Sequence, residues 1–285
     1  MPNVISRIVL VIVSALIAAG CSGASGKDDV VAAFYPLAYA AERIGGPSVH
    51  VDNLTPTGAE PHDLELTPRD VGRIQTARVV LYLGHGFQPA VSKAVEQAKG
   101  RRVDVLTGLS LRASTGSEDG LTADPHVWLD PVLFARIAAR IATVLHRSAA
   151  PLERDLARLD REYRKGLHTC ARREIVTSHA AFGYLAARYH LRQVPITGLT
   201  PESEPTPQEL ARAVETVRRT HATTVFFETL LSPRLADTVA REVGAHTAVL
   251  DPIEGLTAAE HGEHLTYLSL MRRNLETLRK ALQCR

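Results

Sequence analysis

Three histidines occupy short segments that lie far apart in the chain and could meet as metal ligands. His62 lies in GAEPHDLELTPRD, His126 in ADPHVWLDP and His179 in IVTSHAAFGYLA. Neutral imidazole is the commonest protein ligand for borderline transition metals, and three imidazoles leave one tetrahedral position to fill. Any one of the 12 histidines is more often structural, so the prediction depends on these three converging.

The elements that must position these histidines follow an alternating pattern. Apolar, β-branched runs alternate with amphipathic stretches, which favours parallel α/β architecture. Strands are predicted at 30–34, 49–54, 78–84, 101–106, 173–178, 192–198, 223–229 and 246–252. Helices are predicted at about 36–45, 67–77, 88–99, 180–190, 206–220, 232–244 and 258–283. A threonine or serine that directly precedes a proline indicates a helix start, because the hydroxyl can cap the helix and the proline suits its first turn. Such pairs begin at Thr67, Thr206 and Ser232.

Between the two halves the pattern is almost entirely helical, with a break at 148–151. After the break, apolar residues recur at spacings of three and four, namely Leu152, Leu156, Leu159 and Tyr163. A stripe this narrow suits a helix that lies across two lobes, and a surface helix of one large domain is the alternative. We predict an N-terminal α/β lobe over 30–130, a helical connector over 131–168 and a C-terminal α/β lobe over 169–285.

In open α/β sheets, ligands bind beyond the carboxyl ends of the strands. His179 directly follows a predicted strand, His62 lies in the loop after another, and His126 precedes the connector. Asp251 and Glu254 follow the last strand. The first lobe would therefore offer two histidines, and the second lobe one histidine and a carboxylate.

The remaining histidines lack this convergence. His85 also follows a strand, but we expect it to have a structural role or to contact the ligands without binding the metal itself. The others are expected at the surface: His50, His146, His168, His190, His221, His246, His261 and His264.

The amino terminus predicts export. Residues 8–20 are uncharged and apolar apart from Ser14, and as a helix they would rise ~20 Å, too short to cross a bilayer. Residues 1–20 are therefore interpreted as a signal peptide. Its end, LIAAGC, resembles a bacterial lipobox with lipid attached to Cys21, although an ordinary signal peptide is the alternative. Residues 21–29 would form a flexible tether.

Two further cysteines, Cys170 and Cys284, remain after such processing. In an exported protein they suggest one disulfide, with two free thiols as the alternative, and their spacing does not fit a zinc motif. The formal net charge is +2 and no basic run interleaved with aromatic residues occurs, so a nucleic-acid partner is not expected.

Four ordered segments resemble the motifs of the zinc-specific substrate-binding lipoproteins of ABC transporters (the cluster A-I metal-binding family). They are EPHDLELTPRD, DPHVWLDP, SHAAFGYLAARY and LDPIEGLT, and the match extends over about 30–284. The resemblance implies two Rossmann-like lobes, each with a mostly parallel sheet flanked by helices, joined by a long rigid helix. It also implies a monomer that delivers its metal to a membrane permease powered by a cytoplasmic ATPase.

The resemblance carries the ligand role onto His62, His126 and His179, with a fourth ligand from the last-strand loop. Glu254 is preferred; Asp251 is the close alternative, and water or Glu60 a third.

Three features depart from the family pattern. The stretch RASTGSEDGLTADP lacks the long histidine-rich loop of many relatives. Gln88 and Ala90 stand where relatives often have glutamate and tryptophan, which puts a cleft-lining role there in doubt. The connector is also short, with its break at Pro151.

Three imidazoles with one carboxylate suit zinc, whereas manganese favours more oxygen. Zn²⁺ is the expected cargo, with Mn²⁺ or Fe²⁺ as the alternative. A zinc hydrolase is the rival from another class, but no HExxH or GxSxG motif occurs, so no enzymatic activity is expected. A surface adhesin is compatible with the fold but has no sequence feature of its own. The expected location is the outer face of the cytoplasmic membrane, held there by the lipid.

Overall fold

The computed structural model describes residues 28–114, 120–201 and 207–285. The predicted signal peptide, Cys21 and most of the predicted tether lie outside these residues, as does the cap predicted at Thr206. Within the described ranges, no helix combines the length and the apolar character that crossing a bilayer requires.

Two four-stranded sheets form the framework. The first contains β1 (Asp28–Ala32), β2 (Val49–Asn53), β3 (Val79–Tyr82) and β4 (Arg101–Asp104), in the order β2-β1-β3-β4. The second contains β5 (Glu174–Thr177), β6 (Arg192–Pro195), β7 (Thr224–Phe227) and β8 (His246–Val249), in the order β6-β5-β7-β8. Every pairing between these strands is parallel, which confirms the predicted α/β class.

The helices cover the sheets and connect them. They are α1 (Tyr35–Gly45), α2 (Pro68–Thr76), α3 (Pro89–Val95), α4 (Pro131–Leu145), α5 (Ala150–Leu167), α6 (Gly183–Arg188), α7 (Pro207–Thr220), α8 (Arg234–Val243), α9 (Ala258–Gly262) and α10 (Tyr267–Ala281). Thr67 caps α2 as predicted, in a reciprocal capping box with Asp70. The predicted cap of α8, Ser232, lies one residue too early in the chain. Pro233 occupies the cap position, and Ser232 precedes it.

The single helix predicted over 258–283 is wrong, because the structure has two helices there. His264 takes a left-handed backbone conformation, with φ of 55°, which ends α9. Thr266 then caps α10, and its hydroxyl accepts a hydrogen bond from the backbone N–H of Ser269. A hydroxyl cap therefore restarts the helix after a short turn.

The connecting segment consists of α4 and α5. The break between them covers 146–149, two residues before the predicted 148–151, and Pro151 lies in the first turn of α5. His146, left-handed with φ of 53°, ends α4, which packs on α1. The apolar stripe of α5 is fully buried, and this helix packs on α10. The Tyr163 hydroxyl donates a hydrogen bond to the Met271 carbonyl at 2.6 Å. With 18 residues, α5 is ~27 Å long and ties the last helix of the chain to the connector.

A disulfide joins Cys170 to Cys284, across 114 positions of the chain. Cys170 lies just before β5, and Cys284 follows α10. The Arg285 backbone N–H also donates to the Thr169 carbonyl at 2.9 Å. The end of the chain is therefore fixed beside the start of the second sheet.

One hydrophobic core runs through both halves of the molecule. It includes the first sheet, α1, α4, α5 and α10, together with residues around α6 such as Phe182 and Leu185. A smaller cluster lies on the other face of the second sheet, against α7 and α8. The second sheet is therefore packed on one side against the body of the protein and on the other against its own helices.

Candidate metal centre

Four buried side chains from both halves of the chain meet in one group: His62, His126, His179 and Glu254. Each offers one donor atom, and all four atoms lie within 4.8 Å of one another. The Nε2 atoms of His126 and His179 are 3.3 Å apart. Glu254 Oε1 lies 3.0, 3.5 and 3.7 Å from Nε2 of His126, His62 and His179 respectively. A tetrahedral zinc with bonds of about 2.0–2.1 Å separates its ligand atoms by about 3.3 Å, so these spacings suit one ion.

His126 is fixed from its own loop. Asp124 Oδ1 accepts the backbone N–H of His126 at 3.0 Å and lies 2.9 Å from its Nδ1. A 3₁₀ turn, Val127–Leu129, follows, and Asp130 then caps α4 by accepting the Val132 N–H. Burial alone would lower the pKa of His126, but Asp124 and Glu254 outweigh it and raise that pKa. A proton held on Nδ1 leaves Nε2 free to face the group.

His179 is fixed by the neighbouring strand. Its Nδ1 lies 2.6 Å from Oε1 of Glu228, the residue that directly follows β7. The same oxygen accepts hydrogen bonds from the Ser178 hydroxyl and the His179 backbone N–H. Burial would lower the pKa of His179, but Glu228 and Glu254 raise it well above the ordinary value. Two of the three imidazoles thus stand between an outer carboxylate and the centre of the group.

Among the described residues, no carboxylate lies behind His62 in this way. Both of its ring nitrogens are buried and have no hydrogen-bond partner in the described parts of the chain, and the ring meets Phe87 edge-on at 4.7 Å between centroids. Burial is the main cause of its lowered pKa. Gln88 is buried beneath this loop and donates to the Pro61 carbonyl at 3.0 Å, so it supports the backbone before His62. A buried neutral imidazole with both nitrogens unsatisfied is a group prepared for a ligand.

Glu254 and Asp251 have different surroundings, although both follow β8. Burial would raise the pKa of Glu254, but the three imidazoles hold it well below the ordinary value. Asp251 lies outside the group of four, and its Oδ1 accepts the Ile253 backbone N–H at 2.7 Å. Burial raises the pKa of Asp251 to about 8. Glu254 is therefore the carboxylate that faces the imidazoles.

Glu60, the third alternative, also lies outside the group of four. Its Oε1 accepts the His62 backbone N–H at 3.2 Å. Burial, followed by the charge of Glu254, raises the pKa of Glu60 to about 9.

The other histidines are placed as the sequence predicts. His85 is exposed, with Nδ1 2.8 Å from the Thr122 hydroxyl, and the eight expected surface histidines are all exposed. Sequence reasoning missed the two outer carboxylates. Glu228 at the end of β7 satisfies the same strand-end rule that found His179, and Asp124 stands two residues before His126. Both signals were present in the chain.

Comparison with known proteins agrees with this geometry. The family model of ZnuA, the periplasmic component A of zinc-uptake complexes, matches residues 30–281. The chain is 32% identical to the high-affinity zinc uptake system protein ZnuA of Bacillus subtilis, over 94% of each chain. It is also 32% identical to the zinc-binding lipoprotein AdcA of Streptococcus pneumoniae, covering 93% of this chain but only 58% of that protein.

Solved structures of zinc-binding and metal-transporting proteins also resemble this chain. The Zn(II)-bound ZnuA-like domain of S. pneumoniae AdcA superposes with a TM-score of 0.77 at 32% identity, covering 90% of this chain and 99% of that one. The laminin-binding protein Lmb of Streptococcus agalactiae, described as having adhesin and metal-transporting activity, gives 0.80 at 29% identity, covering 89% and 99%. The chain belongs to the ZnuA family of periplasmic zinc-uptake components.

Proposed function

We propose that this protein captures Zn²⁺ between its two lobes through His62, His126, His179 and Glu254 and delivers it to an ABC permease for import. The observation that supports this most directly is the spacing of the four buried donor atoms, all within 4.8 Å of one another. Glu254 supplies one negative charge, and Asp124 and Glu228 supply two more behind the imidazoles. A divalent cation would offset two of these three negative charges, which are costly to leave buried and unpaired.

The donor set favours zinc over its competitors. Three nitrogens and one carboxylate oxygen form a four-coordinate set of the kind zinc prefers, whereas Mn²⁺ takes more oxygen ligands. Mn²⁺ or Fe²⁺ carriage within the same class of transporter is the alternative. The relatives named for zinc uptake support the first choice.

Carriage is favoured over catalysis by the same count of ligands. Catalytic zinc sites keep one coordination position for water or substrate, whereas four protein ligands complete a tetrahedron. All four donors here are buried. A zinc-dependent hydrolase would need an open position that this donor set does not leave, so we propose a carrier and no enzymatic activity.

The setting of the protein follows from its amino terminus. We propose that residues 1–20 are removed, that lipid on Cys21 anchors the protein at the outer face of the cytoplasmic membrane, and that the following residues form a tether. The partners would be a membrane permease and its cytoplasmic ATPase, with the protein acting as a monomer. The proposed lobes are 30–130 and 169–285, joined by 131–168.

Metal analysis and a competition titration test the proposal. The purified protein should retain one zinc per chain. His179→Ala should weaken zinc binding by about a hundredfold or more, because ~12 kcal/mol shared over four ligands is ~3 kcal/mol each. His261→Ala is the matched control, since His261 is exposed on α9 and should leave the affinity unchanged. Equal behaviour of the two variants, or retention of manganese in place of zinc, would contradict the proposal.

A further inference from the structure

The carboxylate of Glu254 is held in place by its backbone. Its two oxygens are buried and make no hydrogen bond to any backbone group, or to any described side chain other than the imidazoles of the group. His126 and His179, by contrast, are each fixed by an outer carboxylate. The position of Glu254 must therefore come from the loop that carries it.

That loop has an unfavourable backbone conformation. Ile253, directly before Glu254, has φ of 58°, a left-handed value that a β-branched residue rarely adopts. The conformation persists only if surrounding contacts enforce it. Ile253 is completely buried, so the enforcing contacts must be internal.

Two sets of hydrogen bonds enforce it. Asp251 Oδ1 accepts the Ile253 N–H at 2.7 Å, and Asn274 of α10 accepts from the Asp251 N–H and donates to its carbonyl, at 2.9 and 2.6 Å. From the other side, the indole Nε1–H of Trp128 donates to the Pro252 carbonyl at 2.7 Å. All these side chains are buried, so every bond is shielded from water.

The bond from Trp128 joins two ligand segments directly. Trp128 lies two residues after His126, and Pro252 lies two residues before Glu254. The Tyr267 hydroxyl of α10 donates to the Trp128 carbonyl and anchors the same turn. The segment that presents His126 therefore also holds the backbone that presents Glu254.

We propose that Trp128 and Asp251 are positioning residues that fix Glu254 beside His126 before the metal arrives. The inference rests on the proposed zinc site and assigns Asp251, the alternative ligand, a structural part in the same site. Loss of a group that orients a metal ligand typically weakens metal binding by 10–100-fold.

The first test removes the indole N–H while keeping an aromatic ring. Trp128→Phe should weaken zinc binding by about tenfold. In the cobalt-loaded protein, the visible bands typical of four-coordinate Co²⁺ should lose intensity as Glu254 gives way to more than one water molecule and the coordination number rises. Tyr163→Phe is the matched control, because it also removes one buried hydrogen bond to a backbone carbonyl, that of Met271, which makes none of the described hydrogen bonds to the loop 251–254. It should leave the affinity and the cobalt spectrum unchanged.

The second test separates positioning from ligation. Asp251→Asn keeps the oxygen that accepts the Ile253 N–H, so zinc affinity should stay within about threefold of wild type. Asp251→Ala removes that acceptor and should weaken zinc binding by about tenfold. A similar large loss in both variants would instead make the Asp251 carboxylate a ligand and overturn the inference.

A double-mutant cycle completes the design. If Trp128 acts through Glu254, Trp128→Phe should change zinc affinity by less than about twofold when Glu254 is already alanine. An undiminished tenfold loss in that background, or no loss in the single variant, would overturn the inference. Failure of the wild-type protein to bind zinc in the same titration would instead refute the proposed function, so the two failures are distinguishable.

Discussion

The two lobes share one strand order but use their strand ends differently. In the second sheet, β5 leads through Ser178 to His179, and its neighbour β7 leads to Glu228. The corresponding strands of the first sheet, β1 and β3, lead to buried apolar residues, Phe34 and Leu83. One lobe therefore places ligand chemistry at its strand ends, while the other closes the same edge with hydrophobic side chains.

The first lobe supplies its ligands from loops instead. His62 lies on the loop between β2 and α2, and His126 on the segment between β4 and α4. Beneath them, Phe34 packs against Phe87 and Trp128, with ring centroids 5.0 and 4.8 Å apart. The shared topology creates the crevice. The residue at each strand end then decides whether a lobe can place an imidazole there, as the second lobe does with His179, or must present its histidines from loops, as the first lobe does; Glu254 of the second lobe is also carried by a loop.

The largest effect on zinc affinity is expected from pH. It tests a feature that both lobes share, since each contributes one imidazole that is paired with an outer carboxylate. The raised pKa values of His126 and His179 mean that both rings carry a proton at acidic pH in the metal-free protein, while the lowered pKa of His62 keeps that ring neutral. Zinc must displace both protons, so affinity is lost as the pH falls through the raised values. The loss should begin above pH ~6.5 and reach about a hundredfold per pH unit below it.

Calorimetric titration in buffers of different ionisation enthalpy gives the number of protons released. Two protons per zinc near pH 6 are expected, one from each lobe. An affinity that stays constant down to pH 5 would exclude imidazole ligation, and release of three protons would show that His62 is paired as the others are.

A smaller effect should distinguish the lobes. Glu228→Gln and Asp124→Asn each replace an outer carboxylate by an amide, and both should weaken zinc binding within the 10–100-fold range of such partners. Glu228→Gln should weaken zinc binding more. One oxygen of Glu228 accepts three hydrogen bonds, from the Ser178 hydroxyl and from the backbone and ring N–H groups of His179, whereas Asp124 Oδ1 accepts two, both from His126. Competition titration of the two variants measures the difference. A larger loss in Asp124→Asn would mean that the loop-borne histidine depends more on its partner than the strand-borne one.

The same contrast explains how much the sequence could predict. The strands and His179 follow from local pattern, because parallel strands end at one edge and ligands gather there. The prediction of His62 and His126 rested on their places, in a loop after a strand and before the connector, and on family resemblance. The bond from Trp128 to Pro252 joins residues 124 positions apart, and the left-handed Ile253 depends on Asn274 and Trp128 as well as on its neighbour Asp251, so no local pattern reveals either feature. The division between α9 and α10 was missed because a non-glycine residue, His264, makes the turn.

The smallest effect on zinc is expected from the disulfide, which lies at the opposite end of the second lobe from the crevice. Cys170 precedes β5 and His179 follows it, so the strand separates the bridge from the ligand. Replacing both cysteines by serine should lower the free energy of unfolding by about 2–5 kcal/mol, because the bridge closes a loop of 114 positions in the unfolded chain. Zinc affinity should change by less than about twofold. Urea unfolding and competition titration of one preparation measure both quantities, and an affinity loss as large as that of Glu228→Gln would show that the bridge also sets the position of His179.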